Sequence, residues 1–370
     1  MKVVLFGLGG LLVLLSAFAR VRSARWWIRF ADFPRMQIAS GLAAVLALHA
    51  VVFGWQSRAD VVFTLAVTAA LLYQGWRIFP YTVLAPKQVM DAPSGDRARS
   101  IRILATNVLM QNRDAQRLLA LIREKDPDLI LALETDSWWT GQLAVLDRDY
   151  PFRLKQPQGN CYGLNFFSKL ELRSPQVRFL LENDIPSVRT GVRLRSGDWI
   201  EFYGLHPRPP EVQADTETRD AEILMVGREI RADGRPSIVA GDLNDVAWSH
   251  TTRLFQRISG TLDPRRGRGM FNTFHAHYPM FRWPLDHVFH EASFTLVRLE
   301  RLPDIGSDHF PVLVELHFEP SAETRQDTPQ PNYVDLDEAE EKIEDGQEAA
   351  EETRNGQAVT QGPTRAARTS

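Results

Sequence analysis

Three apolar runs crowd the first eighty residues: Val3–Ala19, Ile38–Trp55 and Val61–Trp76, with charged residues only at their ends. Each lies near the ~17–25 residues that carry a helix across the hydrocarbon of a bilayer. Inside a bilayer a helix satisfies its own backbone polar groups, which few other structures can do. The runs show no amphipathic period, unlike the core helices of a soluble domain. Residues 1–80 are therefore expected to form about three transmembrane helices, anchoring the chain in a cell membrane by several passes. A cleavable signal peptide is the alternative for the first run, given Lys2 and the small-x-small Ala17-Phe18-Ala19. An uncleaved helix is the expectation. His49, within the second run, is expected to hydrogen-bond a neighbouring helix rather than act in chemistry.

The connector between the first two runs, residues 20–35, holds five arginines and one aspartate, with Trp26 and Trp27 suited to a membrane interface. Under the positive-inside rule this excess puts the connector, and the domain after the third run, in the cytoplasm. A connector lying on the outer surface as an amphipathic helix would weaken that count, so sidedness stays open.

Charge divides the rest. Residues 101–320 carry 27 Lys/Arg and 30 Asp/Glu, a balance that argues against a broad nucleic-acid-binding face. Residues 321–370 carry 5 and 12 and few apolar groups, so an acidic disordered tail is expected. Residues 81–100, rich in Pro, Gly and mixed charge, read as a linker. Cys161 is the only cysteine, which excludes an internal disulfide framework and a multi-cysteine zinc site.

Between linker and tail, short apolar strands alternate with helical segments. Strands are expected at Ile101–Thr106, Asp128–Leu133, Tyr162–Ser168, Val188–Arg195, Trp199–Leu205, the run ending at Asp242, Leu285–Phe289 and Phe310–His317. Helices are expected after an Asp114 cap through Glu124, and over Glu211–Ala232.

Polar residues recur where these strands end. Asn107, Glu134, His206, Asp242 and Asn244 each follow an apolar strand; Asp286 lies in one, and Asp308-His309 precede the last. In "IVAGDLND", Asp242 and Asn244 stand two apart, so on an extended chain both would point to one side, beyond the carboxyl end of the strand. One such residue means little. Together they make an oxygen-rich site with imidazoles nearby, the chemistry that suits Mg²⁺ or Mn²⁺. No His-Glu-x-x-His helix, phosphate-binding Gly-rich Lys-Ser/Thr loop or Gly-x-Ser-x-Gly elbow occurs in the sequence.

The segments "ATNVL", "DPDLILALE", "YGLNFFSK", "GLHPRPP", "VAGDLND", "PLDHVF" and "GSDHFPV" resemble, in order, those of the endonuclease/exonuclease/phosphatase superfamily. The resemblance covers about residues 100–318, within a catalytic domain expected over 101–320. It implies an α/β sandwich of two facing mixed sheets and divalent-metal-dependent hydrolysis of phosphoester bonds. By resemblance and chemistry, Glu134, Asn107 and Asp308 would hold the metal, and Asp242 would orient or deprotonate the attacking water. Asn244 would donate to a phosphate oxygen, His309 would contact the phosphate with Asp286 holding its other nitrogen, and His206 would stabilise charge near the leaving group. Asn165 departs from the small apolar residue more usual in its strand, which bears on packing.

With membrane runs in front, the chain resembles a bacterial branch whose domains are thought to face outward, against the arginine count. A lipid-linked phosphate ester or pyrophosphate is the expected substrate. The alternatives are a membrane-tethered Mg²⁺-dependent nuclease, which lacks the expected basic excess, and a non-catalytic phosphate-binding module. His275 and His277 are expected to be surface loop residues rather than a metal pair, and His287 and His290 structural. Arg265, Arg266 and Arg268 read equally as a phosphate or headgroup contact and as a solvated turn.

Overall fold

The strands expected after residue 100 assemble into two sheets packed face to face. The computed structural model describes residues 1–93, 96–210 and 215–360. One sheet contains β1 (Ser100–Asn107), β2 (Leu129–Leu133), β3 (Phe152–Gln156), β4 (Leu164–Ser168), β10 (Phe294–Arg301) and β11 (Val312–Phe318). Its order is β10-β11-β1-β2-β4-β3. The other runs in chain order through β5 (Leu172–Phe179), β6 (Pro186–Arg193), β7 (Trp199–Leu205), β8 (Ser237–Asp242) and β9 (Asp286–His290). Both sheets are mixed, with β1–β2 and β7–β8 parallel and the other pairs antiparallel. The expected α/β sandwich is what forms.

The core lies between the sheets. Ile103, Leu131 and Phe166 from the first meet Phe202, Ile238 and Ala240 from the second, all at most 1% exposed. Phe166 stacks on Phe202 with ring centroids 5.0 Å apart. On the outer faces, α5 (Ala115–Lys125) and α6 (Ser137–Leu143) cover the first sheet, and α7 (Glu217–Asp233) and α8 (His250–Ser259) cover the second.

Pairing register explains where the polar strand ends go. Asn107 pairs with Leu133, so Glu134 follows beside it. Leu205 pairs with Gly241, which sets His206 next to Asp242, and Asp242 pairs with Asp286. One rim of the sandwich thus collects them.

Several expectations need correction. β3, β5 and β10 were not anticipated; β3 and β5 are edge strands with exposed polar residues, so they lack the apolar run that marks a buried strand. Asp114 stands at the N-cap of α5 but makes no side-chain cap bond; its carboxylate pairs with Arg117 at 2.9 Å. The helix expected from Glu211 begins at Glu217, and 211–214 lie outside the described residues. The 81–100 stretch is not a free linker. Val89 is fully buried in the core, and Leu296 donates to the Met90 carbonyl while Ala92 donates to that of Leu296.

The tail differs most. α9 (Tyr333–Thr360) is a helix lying on α7 and α8, against the expected disorder; residues 361–370 lie outside the described ones. Asp335, Ala339, Ile343, Gly346 and Ala350 are its buried side. Lys342 pairs with buried Asp220 at 3.0 Å, and Asp335 accepts two bonds from Arg257. The acidic composition hid a narrow seam of small residues.

At the other end, α1 (Lys2–Phe18), α3 (Arg35–Val52) and α4 (Arg58–Ile78) pack around Leu5, Ile38, Leu42, Val45, Val67 and Ala70. His49 reaches Asp60 of the neighbouring helix at 3.2 Å, and Lys2 pairs with the same carboxylate at 2.6 Å. Two stretches, Arg35–Val52 and Arg58–Tyr81, are long and apolar enough to cross a membrane; α1 is shorter. Length and composition thus support two candidate spans where three were expected.

The connector carrying α2 (Trp26–Arg29) docks on the sandwich rather than standing apart. The Trp248 indole donates to Asp32 O at 2.7 Å, and Tyr81 Oη to Ala247 O at 2.6 Å. Arg29 donates to Thr251, and the Phe33 and Trp283 rings meet edge-on at 5.6 Å.

Candidate active site

Backbone turns aim the rim residues inward. Glu134, directly after β2, takes a left-handed φ of +60°. The next amide, Thr135 N–H, bonds to Gly163 O at 2.9 Å; a Cβ at Gly163 would fall 2.0 Å from Thr135 O, so only glycine fits there. Asn244 does not continue the β8 extension. Its φ is +50°, its N–H donates to Asp242 Oδ1 at 2.9 Å, and its side-chain amide donates to Pro207 O at 3.0 Å. Asp242 and Asn244 share a cavity through this Asx turn, not through strand alternation.

The charged groups then divide in two. In the first group, Asn107 Nδ2 donates to Glu134 Oε1 at 2.8 Å and approaches Asp242 Oδ2 at 3.3 Å. Leu109 N–H holds Asn107 Oδ1 at 3.0 Å, so the amide is fixed in place to orient the glutamate. Burial, followed by the charge of Asp308, pushes the Glu134 carboxyl above its ordinary value, although Asn107 and Met110 N–H oppose this. No Lys or Arg is in ion-pair range of Glu134 or Asp308 among the described residues.

The second group is Asp242, Asp286 and His309, whose ligand-capable atoms all lie within 4.8 Å of one another. His309 Nδ1 is 2.8 Å from Asp286 Oδ2, and Nε2 is 3.5 Å from Asp242 Oδ2. Burial alone would lower the imidazole pKa, but the two carboxylates overcome it and push it up to about 10. A protonated ring has no lone pair for a metal. Compact as it is, this cluster suits a fixed cation between two carboxylates. Asp242 is pushed up to about 6, burial outweighing the attraction of His309. His206 sits with Nε2 3.9 Å from Asp242, its Nδ1 unpartnered, and burial lowers its pKa, favouring the neutral ring.

Glu134 and Asp308, cavity-lining carboxylates with no ion-pair partner among the described residues, could hold a divalent cation. Ser307, which the sequence reading passed over, knits the pieces: its Oγ donates to Asn107 O at 2.8 Å and accepts from His309 N–H at 3.0 Å.

The rim opens into a cavity of about 510 Å³ whose floor includes Glu134, His206, Asp242, Asn244, Asp308 and His309. Asn107 and Asp286 lie behind these residues. The walls are apolar: Trp26, Phe30 and Phe33 from the connector, with Phe274, Trp283 and Leu285 opposite. Trp26 was legible only as an interfacial residue, since nothing local places it over a site two hundred residues away.

Other expectations resolve clearly. His287 bonds to Asp245 O and Arg265, and His290 to Glu291 O, so both are structural. Arg265 is neither a ligand contact nor a solvated turn; it is buried against Asp263, while Arg268 bonds to Val89 O and Asp91. The His275 and His277 rings lie near the surface, tilted against each other with centroids 5.5 Å apart. Asn165 is buried, its amide donating to Thr140 at 2.8 Å.

Residues 104–309 match the model of the endonuclease/exonuclease/phosphatase family. No curated protein sequence matches the chain. Among solved structures, the human Nocturnin catalytic domain with bound sulfate aligns with a TM-score of 0.51 at 15% identity, covering 65% of this chain and 99% of that one. TDP2 of D. rerio complexed with a single-strand DNA product aligns at 0.50 and 16% identity, covering 59% and 99%. A Beutenbergia cavernae endonuclease/exonuclease/phosphatase structure aligns at 0.49 and 19%, covering 60% and 72%. The chain belongs to the endonuclease/exonuclease/phosphatase family, whose enzymes use divalent metals to hydrolyse phosphoester bonds.

Proposed function

We propose that the protein is a membrane-anchored phosphoesterase acting on a lipid-linked phosphate ester or pyrophosphate. The observation that carries this reading is the cavity wall. Trp26, Phe30 and Phe33 lie on the segment joining two apolar helices, and that segment lines the same cavity as the carboxylates and imidazoles. An amphiphile can bury its chain against such a wall. Pro279–Phe281, with Met280 and Phe281 exposed, continues the apolar rim toward α3, where Gln37 bonds to Met280 O.

Glu134 and Asp308, oriented by Asn107, would hold Mg²⁺ or Mn²⁺. The ion would supply charge neutralisation at the phosphate and a more acidic water. Asp242 accepts a proton from, or orients, the attacking water. His309, held cationic by Asp286, contacts the phosphate oxygens. His206, neutral and with one free nitrogen, faces the leaving group, and Asn244 shapes the floor and offers its amide edge to the phosphate.

The test uses the full chain in detergent with Mg²⁺, assayed in parallel on a polyprenyl pyrophosphate, phospholipids and plasmid DNA. Phosphate release from lipid is expected, abolished by EDTA, restored by Mg²⁺ or Mn²⁺, and reduced about 10³-fold or more by His309→Ala. Cleavage of DNA with no turnover of lipid would overturn this reading in favour of a nuclease.

A further inference from the structure

A second cavity, about 370 Å³, opens where the N-terminal bundle meets the sandwich. Arg20 and Arg22 after α1, Tyr73, Trp76 and Arg77 of α4, and His250, Arg253 and Arg257 of α8 line it. Two carboxylates of α9 face this group, and both are taken. Asp335 holds Arg257 at 2.8 Å, and Glu338 holds His250 and, at 3.1 Å, Arg22. Arg20, Arg77 and Arg253 have no ion-pair partner among the described residues. Arg20 lies over the Tyr73 ring at 5.6 Å, Arg77 donates to Trp248 O, and Arg253 donates only its Nε, to Ser249 O at 3.0 Å.

Arginines at a helix end are ordinary where the dipole favours a cation. That accounts for Arg20 and Arg77, at the carboxyl ends of α1 and α4. It does not account for Arg253, which lies near the amino end of α8, the end that disfavours positive charge. Its guanidinium is half-buried, and burial, then Arg77 and Arg257, push its pKa down to about 9. An anion in the cleft would relieve all three guanidiniums at once.

We propose that this cleft binds the phosphate of an anionic phospholipid between Arg20, Arg77 and Arg253, at the level where the bundle enters the membrane. Free phosphate shares the chemistry, but the cleft continues into an apolar face. Val62, Leu65, Leu72 and Trp76 share one side of α4, all exposed, and give acyl chains a place to lie. The site rests on the membrane reading above and is separate from the catalytic cavity, so it would hold a resident lipid, not the substrate.

The full chain is reconstituted in nanodiscs of phosphatidylcholine with or without phosphatidylglycerol, released into detergent, and its retained lipids counted by native mass spectrometry. One phosphatidylglycerol per chain is expected, with Arg253→Gln weakening retention about tenfold. Arg20→Gln, at an exposed position that folding does not need, is expected to weaken it in the same direction, and His309→Ala to leave it unchanged. Equal retention of the two lipids, or retention indifferent to Arg253→Gln and Arg20→Gln, overturns the site. Binding of inorganic phosphate in place of lipid overturns the lipid assignment. Failure of the phosphoesterase reading would show separately, as absent hydrolysis with phosphatidylglycerol still bound.

Discussion

Glu222 of α7 is 5% exposed, and one of its carboxylate oxygens has no hydrogen-bond partner. Burial, reinforced by the charge of Glu182, pushes its pKa up to about 8. The folded state therefore holds a proton that the unfolded chain releases near its ordinary value of ~4.3. Its contribution is fully present below that value and is lost as pH rises through about 8. Glu222→Gln keeps the shape without the charge. Its melting temperature should match the wild type below pH ~4.3 and exceed it by several degrees at pH 9. Equal shifts at both pH values would remove burial of the charge as the cause. Glu222 illustrates a limit of reading residues singly: in the sequence it is one more polar position on a helix. The rim residues were more legible because most of them follow an apolar strand, and a carboxylate there has little structural purpose. Asn244 does line the cavity, but strand alternation is not what puts it there, since the turn after Asp242 reverses the chain before alternation can apply.

Among the elements, α9 departs furthest from expectation. Gly346 is the tightest point of its contact with α7: a Cβ there would fall 2.3 Å from the Ala221 Cβ and 2.7 Å from Glu217 O. Neither neighbour is a flexible side-chain tip, so the helices would have to separate. Gly346→Leu should cost about 1–3 kcal/mol, as overpacking usually does, even though leucine is the better helix former. Thermal melts would read this, together with faster proteolysis after residue 330. An unchanged melting temperature would mean that α9 is not held where the seam implies. Composition could not show the seam, because Ala339, Gly346 and Ala350 contribute little hydrophobicity and act through close approach. The edge strands β3 and β5 escaped notice for a related reason: their polar, exposed residues carry no alternation strong enough to separate them from loop.

At the scale of the whole molecule, the connector joins the N-terminal apolar helices to the cavity. Trp26 and Phe30 wall the catalytic cavity, while Arg29 and Asp32 pin the same segment to the second sheet's loops. Trp26→Ala should therefore lower kcat/KM for a long-chain lipid phosphate more than for a short-chain analogue, by about tenfold in the ratio. A uniform loss on both substrates would point to a disturbed site rather than a chain-binding wall.

Apolar runs, alternating strands and polar strand ends are local patterns, so the N-terminal apolar helices, the sandwich class and the polar residues gathered at its rim could be read from the sequence alone. Only the tertiary structure decided which of those residues meet. Register put Asp242 opposite Asp286 and Asn107 beside Glu134, and His309 against Asp286. Docking of the helices on the sandwich also brought Trp26 into the wall of the cavity that His309 lines and joined Arg20, Arg77 and Arg253 around one cleft. Contacts between residues hundreds of positions apart depend on how sheets and helices dock, and no periodicity in the chain records that.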